Sequence, residues 1–498
     1  MIDPIETGEP EIERSPVRKN VLHMMSSQLI TWVIATIAAL IIPRFLGPET
    51  LGEFRLATSL WLIAATLTSL GTTQFLQLEI ARHQREGLSF MGPVLVMRTL
   101  AFVASAAVVA AYVWVTADTP RFVVIVVSIG VATLFGVWSE GFIAAFVGLE
   151  RMSIIALAGA VGKLFYTVAV IVLLIAGADV YGIVAVTVLT AVGGMVYMIW
   201  HFRRVSTIRY VGWRSSAGRV LRTSSTFMAV AVALVCYQQI DLIVISWVAE
   251  KEDLGWYSAA DTLFGSLLFP ATVLLGVIFP MLGRLHESDP AELRALISRT
   301  FSILAVIAVP VGLGTTLVAR DFAPLLYGEA FRETGSVLAI LGPVIMLTFG
   351  TILFGSVALA TDRGRVWVLV MFGAALLTIP LDLVLVPWAN GRFGNGAIGG
   401  ALAYVVTEAV QFVIGVWLMA PFLLNRSTAW RTVRIVAAGG VMFAAGWPLR
   451  HLFLPVPVVV STLVYALAVV AFQVLGEHER RMVGNVVARV GVRNPWAG

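Results

Sequence analysis

The chain of 498 residues is 59% hydrophobic and only 13% charged, with a net charge of +5 and a mean hydropathy of +0.92. Soluble domains carry about 25% charged residues, so a soluble enzyme or soluble binding module is excluded. The pI near 9.5 does not point to nucleic acid either, because the basic residues fall between apolar runs, where membrane topology puts them.

Residues 1–20 are polar and mixed in charge, lack the basic start, short apolar core and cleavage site of a signal peptide, and read as a cytoplasmic tail. Apolar runs then follow one another, each long enough to cross a hydrocarbon core of roughly 30 Å as a helix. The alternating ten-residue segments of a spanning β-barrel are not seen. Fourteen spans are predicted, near 21–43, 52–72, 91–116, 122–148, 153–176, 180–202, 223–248, 255–282, 295–318, 336–360, 365–388, 396–420, 431–449 and 456–475. Spans 1–6 (21–202) make an N-lobe and spans 7–12 (223–420) a C-lobe, joined by a basic cytoplasmic linker, 203–222. Spans 13 and 14 (421–475) are appended, and 476–498 is a cytoplasmic tail. With the N-terminus inside, 24 Lys and Arg residues lie in cytoplasmic segments and 8 in outer ones. That bias is the one expected of a multi-pass plasma (inner) membrane protein with both termini cytoplasmic. The linker carries Arg203, Arg204, Arg209, Arg214, Arg219 and Arg222, suited to anionic headgroups.

The two halves repeat. Residues 51–60, LGEFRLATSL, answer 254–263, LGWYSAADTL: Leu, Gly, Ala and Leu recur at one spacing, and Phe54 answers Tyr257. Glu150-Arg151 and Asp362-Arg363 likewise precede corresponding spans. Six spans per half give both copies the same orientation, so the fold class is an all-α integral membrane protein of two six-helix lobes related by a pseudo-two-fold along the membrane normal, plus two appended helices.

Ionisable groups inside spans are costly and need a partner, a wet cavity or a function. Lys163 falls roughly 15 Å into span 5, close to the midplane, where it either holds a phosphate as a point charge or pairs with a carboxylate. Glu408 lies near the midplane of span 12, as a proton-coupling group or a neutral hydrogen-bonding one. Arg98 and Glu140 fall at one depth on neighbouring antiparallel spans, which favours a structural ion pair; unpaired, Arg98 would be a headgroup ligand. Asp241, Asp261 and Asp382 share a level on the outer side of the C-lobe and need protons, a cation or an arginine. Arg44 and Arg55 are at a matching level, so an ionic latch between lobes is expected, with a sodium or proton site as the competing reading. Polar stripes mark Ser27, Gln28 and Thr31 on span 1 and Tyr237, Gln238 and Asp241 on span 7, either lining a wet cavity or bonding helix to helix. Pro270 and Pro310 are expected bending points.

No catalytic constellation is visible: there is no P-loop, the six His residues are scattered, and Cys236 is the one cysteine, so neither a disulfide nor a cysteine metal cluster is expected.

The segment Pro43-Arg44-Phe45-Leu46-Gly47-Pro48, then Leu51-Gly52-Glu53-Phe54, with Leu254-Gly255-Trp256-Tyr257 as its second copy, resembles the polysaccharide transporter (O-antigen flippase-like, Wzx-type) family of the multidrug/oligosaccharidyl-lipid/polysaccharide (MOP) exporter superfamily. The resemblance covers spans 1–12 and fits the appended pair. It implies two lobes around a cavity lined by spans 1, 2, 7 and 8, and a polyprenyl-diphosphate-linked oligosaccharide moved from the inner to the outer leaflet. It also implies alternating access, with possible Na+ or H+ coupling and no cofactor. Arg55, Arg98 and Lys163 would meet the diphosphate and Gln28 and Gln238 the sugar, while Arg44, Asp241, Asp261, Asp382 and Glu408 would serve coupling or gating. Partners would be membrane lipids and a polysaccharide polymerase or glycosyltransferases. A lipid II flippase, a cation-coupled multidrug exporter and a non-transporting scaffold for glycan assembly are the alternatives.

Overall fold

The structure, a computed structural model, describes residues 17–116, 119–206, 213–423 and 426–474. The tail 1–16, the centre of the basic linker (207–212) and the C-terminal tail lie outside the described residues. The described chain is helical, without a strand. Its first half runs α1 (Val17–Ser69), α2 (Thr72–Arg82), α3 (Gln84–Ser89), α4 (Met91–Thr116), α5 (Pro120–Gly148), α6 (Met152–Ile175) and α7 (Val180–Phe202). The second runs α8 (Trp213–Val248), α9 (Lys251–Leu267), α10 (Phe269–Ser288), α11 (Pro290–Tyr327), α12 (Arg332–Ala360), α13 (Gly364–Phe393), α14 (Gly396–Leu418), α15 (Ala420–Leu423), α16 (Arg426–Gly446) and α17 (Pro455–Ala471).

Eleven of these helices are long and apolar enough to span a bilayer, twelve if the bent pair Ile37–Ser69 and Thr72–Arg82 counts as one span. The difference from fourteen has local causes. The first expected span falls largely on residues whose side chains are not described. The second is counted only within the bent pair, and the eighth only through α10, because the helix breaks at Leu268, where Pro270 cannot continue α9 but fits the first turn of α10. The last, α17, has only 17 residues. The sequence also left 73–90 as a connection, whereas α2 and α3 occupy it. Leu70 (φ 50°) and Gly71 (φ 66°) stop α1, and the chain restarts at a bend of 40°.

Two compact units are formed. Unit 1 holds residues up to 39 and 60–232. Its core brings Phe75, Leu76 and Ile80 of α2 onto Phe142 and Phe146 of α5, with Met195, Met198 and Phe202 of α7. Gly148 makes this possible, since a Cβ there would stand 2.8 Å from the Ile80 Cβ. Trp61 donates its indole N–H to the Val126 carbonyl at 2.7 Å, giving the polar end of a buried ring its partner.

Unit 2 holds 40–59 and residues from 233 onward. Here α11 packs along α12, and α12 and α13 along α14. The α12 carbonyl of Gly342 and the α11 carbonyl of Gly312 each lie 2.6 Å from where the other glycine's Cβ would be, so the two backbones approach closely, with the side chains of Thr316 and Met346 beside them. The appended α16 and α17 lay Ile435, Ala438, Met442, Tyr465 and Val469 against Val309 of α11. The Tyr465 hydroxyl donates to the Val306 carbonyl at 2.9 Å. Asp253, at the start of α9, accepts from the backbone N–H of Gly396 at 3.1 Å and so fixes the entry of α14.

Candidate functional site

Unit 2 carries a cluster of four carboxyl groups. Three of them sit in the same local pattern, a tyrosine four residues before an acid: Tyr237 and Asp241 on α8, Tyr257 and Asp261 on α9, Tyr404 and Glu408 on α14. A four-residue step puts both side chains on one helix face, and the three faces converge. The hydroxyls cross between helices. Tyr257 donates to Asp241 at 2.9 Å, and Tyr237 donates to Glu408 and bonds Tyr404. Thr351 of α12 donates to the other Glu408 oxygen at 2.5 Å. Asp241 is within electrostatic range of Asp261, Asp382 and Glu408. Asp382 is fully buried, and neither of its carboxyl oxygens has a hydrogen-bond partner. Leaving a charge so placed uncompensated is among the costliest things a fold can do.

The cation at this cluster is Arg55, which pairs with Asp261 at 3.1 Å. It is placed by a break inside α1: Gly47 has φ 74° and ψ 167°, a region open almost only to glycine, and Pro48 keeps the residue before it out of the helical region. The chain after Gly47 therefore leaves in a new direction and brings Glu53, Arg55 and Ser59 to α8 and α9. Glu53 meets Lys251 at 3.2 Å, and Ser59 donates to Gln239 at 2.6 Å.

Of the expected latch residues, one arginine and one acid meet. Arg55 engages Asp261, while Asp241 is held by Tyr257. Arg44 is exposed. Gln238 is exposed too, and its neighbour Gln239 makes the contact with Ser59. Gln28 lies outside the residues whose side chains are described. The tyrosines Tyr257 and Tyr404, with Thr351 and Gln239, were not picked from the sequence; the recurring tyrosine-to-acid spacing was the signal for the first two.

In unit 1, the expected diphosphate contact at Arg98 is corrected. Arg98 is completely buried on α4, where its Nε donates to Thr72 at 2.9 Å, Nη1 to the Val137 carbonyl at 2.6 Å and Nη2 to Thr73 at 2.8 Å. Glu140 stands 3.8 Å away and is half exposed. The planar fork ties α2 to α5, and no face of it is open to a ligand in this conformation. Lys163, on α6, is different: it is half-buried, its Nζ sits 5.5 Å from the centre of the Tyr166 ring, and among the described residues it has no carboxylate partner.

Residues 17–286 match the family described as polysaccharide biosynthesis protein. The chain belongs to that family. This polysaccharide biosynthesis family member is also 25% identical over 157 residues to an uncharacterized membrane protein in the cps region of Klebsiella pneumoniae, a match covering 31% of this chain and 30% of that one. It is 24% identical over 155 residues, with the same shares, to the lipopolysaccharide biosynthesis protein WzxC of Escherichia coli (strain K12). The matched stretch thus spans about 30% of the length of these curated relatives. Its fold matches the lipid II flippase MurJ in an inward closed conformation at a TM-score of 0.73, with 10% identity, 91% of this chain and 99% of that one covered. It matches an inward-facing multidrug resistance MATE family transporter of the MOP superfamily at 0.61, with 15% identity and 82% and 99% covered. The family member thus has the two-lobed helical membrane fold of the MOP transporters, as the repeated LG segments led us to expect.

Proposed function

We propose that this chain is a flippase that moves a polyprenyl-diphosphate-linked oligosaccharide from the inner to the outer leaflet of the plasma (inner) membrane for cell-surface polysaccharide synthesis. The observation that carries this reading is Lys163, a half-buried cation within a membrane-spanning helix whose charge no described carboxylate takes up. A lysine ammonium binds phosphate as a point charge, and a diphosphate supplies the missing counter-charge. Polar groups along the spans would meet the sugar, and the lipid would stay in the bilayer. Movement would come from alternating access of the two lobes, a secondary transport process without a covalent step, with both termini cytoplasmic.

Coupling would fall to the carboxyl cluster of unit 2. Four acids share one arginine there, and neither oxygen of Asp382 has a hydrogen-bond partner, so the cluster offers carboxyl groups able to take up a cation or a proton. The coupling ion would be Na+ or a proton, taken up at these carboxyl groups.

The test is mass spectrometry of lipid-linked glycans in a strain lacking this chain, with drug sensitivity recorded alongside. The reading requires a complete diphosphate-linked oligosaccharide to accumulate while surface glycan is lost. Unchanged lipid intermediates with new drug sensitivity would replace it with drug efflux. The fold match to MurJ favours one second reading, a lipid II flippase, which the same spectra separate by accumulation of the peptidoglycan precursor.

A further inference from the structure

Lys163 is the one charged residue of α6, and its place on the helix is informative. Val161, Phe165, Val168 and Val172 are all exposed and lie about half a turn round the helix from it, as a lipid-facing stripe does. Lys163 therefore sits on the face turned away from lipid. It shares that face with Gly159, four residues before it, and Tyr166, three after it. Side chains on a helix lean back toward its N-terminus, so Tyr166 leans over the turn of Lys163 and Lys163 over the turn of Gly159. The Lys163 Nζ accordingly stands 5.5 Å from the centre of the Tyr166 ring, within reach of a cation–π attraction.

The ring itself is anchored. The Tyr166 hydroxyl bonds Thr187 of α7. Thr187 has one proton and donates it to the Ile183 carbonyl at 2.8 Å, so Tyr166 must be the donor to Thr187. This chain of donors ties the far end of the ring to α7 and fixes its face toward Lys163. On the other side of Lys163 there is space. Gly159 is exposed although it lies on the face away from lipid, and a Cβ built there would meet nothing within 4 Å. The same holds at Gly194 of α7, and at Gly162 only the Thr190 methyl comes within range, at 3.9 Å. Glycine weakens a helix interior, and close helix packing is its usual compensation in a membrane. Gly159 has no such contact. Its bare backbone leaves room beside an ammonium that, among the described residues, has no acceptor for its three N–H groups.

We propose that Tyr166 is a positioning residue of a diphosphate subsite: its anchored ring holds the Lys163 ammonium over the open backbone at Gly159, where a diphosphate group meets it. An unpaired ammonium inside a span calls for an anion, and a diphosphate supplies several acceptor oxygens to one point charge. That the diphosphate arrives on a transported lipid rests on the flippase reading above; the positioning of Lys163 by Tyr166 does not.

The test measures binding of farnesyl diphosphate to the purified full chain in detergent, with thermal unfolding in parallel. Inorganic diphosphate should compete and farnesol should not. Lys163→Ala should abolish binding, and Tyr166→Leu should weaken it about tenfold. Tyr166→Phe and Thr187→Val each remove the same hydrogen bond and should each weaken binding about threefold, with the double variant no weaker than either alone. A tyrosine that only stabilises the fold would lower the unfolding midpoint and leave the affinity of the folded protein unchanged; that result would overturn the proposal. Additive losses in the double variant, or competition by farnesol, would overturn it too. Should Tyr166→Leu not accumulate, Thr187→Val, which removes a single hydroxyl, decides. Lipid-linked glycans left unchanged in a strain without this chain would end the flippase reading, while the diphosphate affinities of these variants would still stand or fall by themselves.

Discussion

Replacing Arg98 by alanine separates a structural clamp from a substrate ligand. The guanidinium makes three hydrogen bonds, at 2.9, 2.6 and 2.8 Å, to Thr72, Val137 and Thr73. Bonds to a charged group contribute about 1.5–3 kcal/mol each, which sets an upper range near 4.5–9 kcal/mol. Two facts reduce it. Thr72 also donates to the Ser69 carbonyl, so its hydroxyl is not stranded, and the Val137 carbonyl lies within α5, whose own ladder it serves. The Glu140 pair, at 3.8 Å with Glu140 half exposed, adds little. Adding the cavity left by so large a buried side chain, we expect a loss of about 3–5 kcal/mol. Arg98→Lys should recover only part of it, because an ammonium cannot reproduce the planar fork. The assay is thermal unfolding of the purified protein in detergent, with membrane abundance measured in parallel. An alanine variant as stable as the parent, within about 1 kcal/mol, yet unable to export glycan would refute the clamp and return Arg98 to the substrate.

Three further outcomes follow from the same geometry. Arg55→Asp and Asp261→Arg should each impair surface glycan, and the double exchange should partly restore it, while unfolding midpoints shift by less than about 1 kcal/mol equivalent because both side chains are partly exposed; no rescue in a well-expressed double variant would end the pairing's functional role. Gly47→Ala meets no atom within 4 Å of its new Cβ, so its cost is backbone strain alone, about 1–3 kcal/mol, read as a lowered thermal midpoint; an unchanged midpoint would mean that the break in α1 relaxes without glycine. Lys163→Ala should abolish surface glycan at normal protein level and Lys163→Arg should retain part of it, since charge matters more than shape there; unchanged glycan in the alanine variant would remove Lys163 from the substrate path.

The class of the molecule was legible in its composition, and the common level of Arg98 and Glu140 in counting along each helix at about 1.5 Å per residue. Arg98 and Glu140 were placed at one level correctly, and the repeated LG segments were seen before any fold was known. The threonines that hold Arg98 were missed. They lie on α2, which begins after the left-handed turn at Leu70 and Gly71, and a polar, mixed-charge stretch of eleven residues reads as a connection. Gln238 was chosen over Gln239 for a similar reason: consecutive residues on a helix differ by about 100° in direction, and only packing decides which one faces the neighbour.

What the sequence determined by itself was the solvent the chain lives in and the number of halves. Both come from composition and order. What only the tertiary structure decided was which helix faces meet. In a bilayer the outer surface and the protein core are both apolar, so the hydrophobic stripe that orients a helix in water is absent. The rotation of each helix is then set by small residues and hydroxyls that look alike along the chain. That is why Tyr257 reaching Asp241 and Arg55 choosing Asp261 among the three aspartates became visible only once the helices were packed.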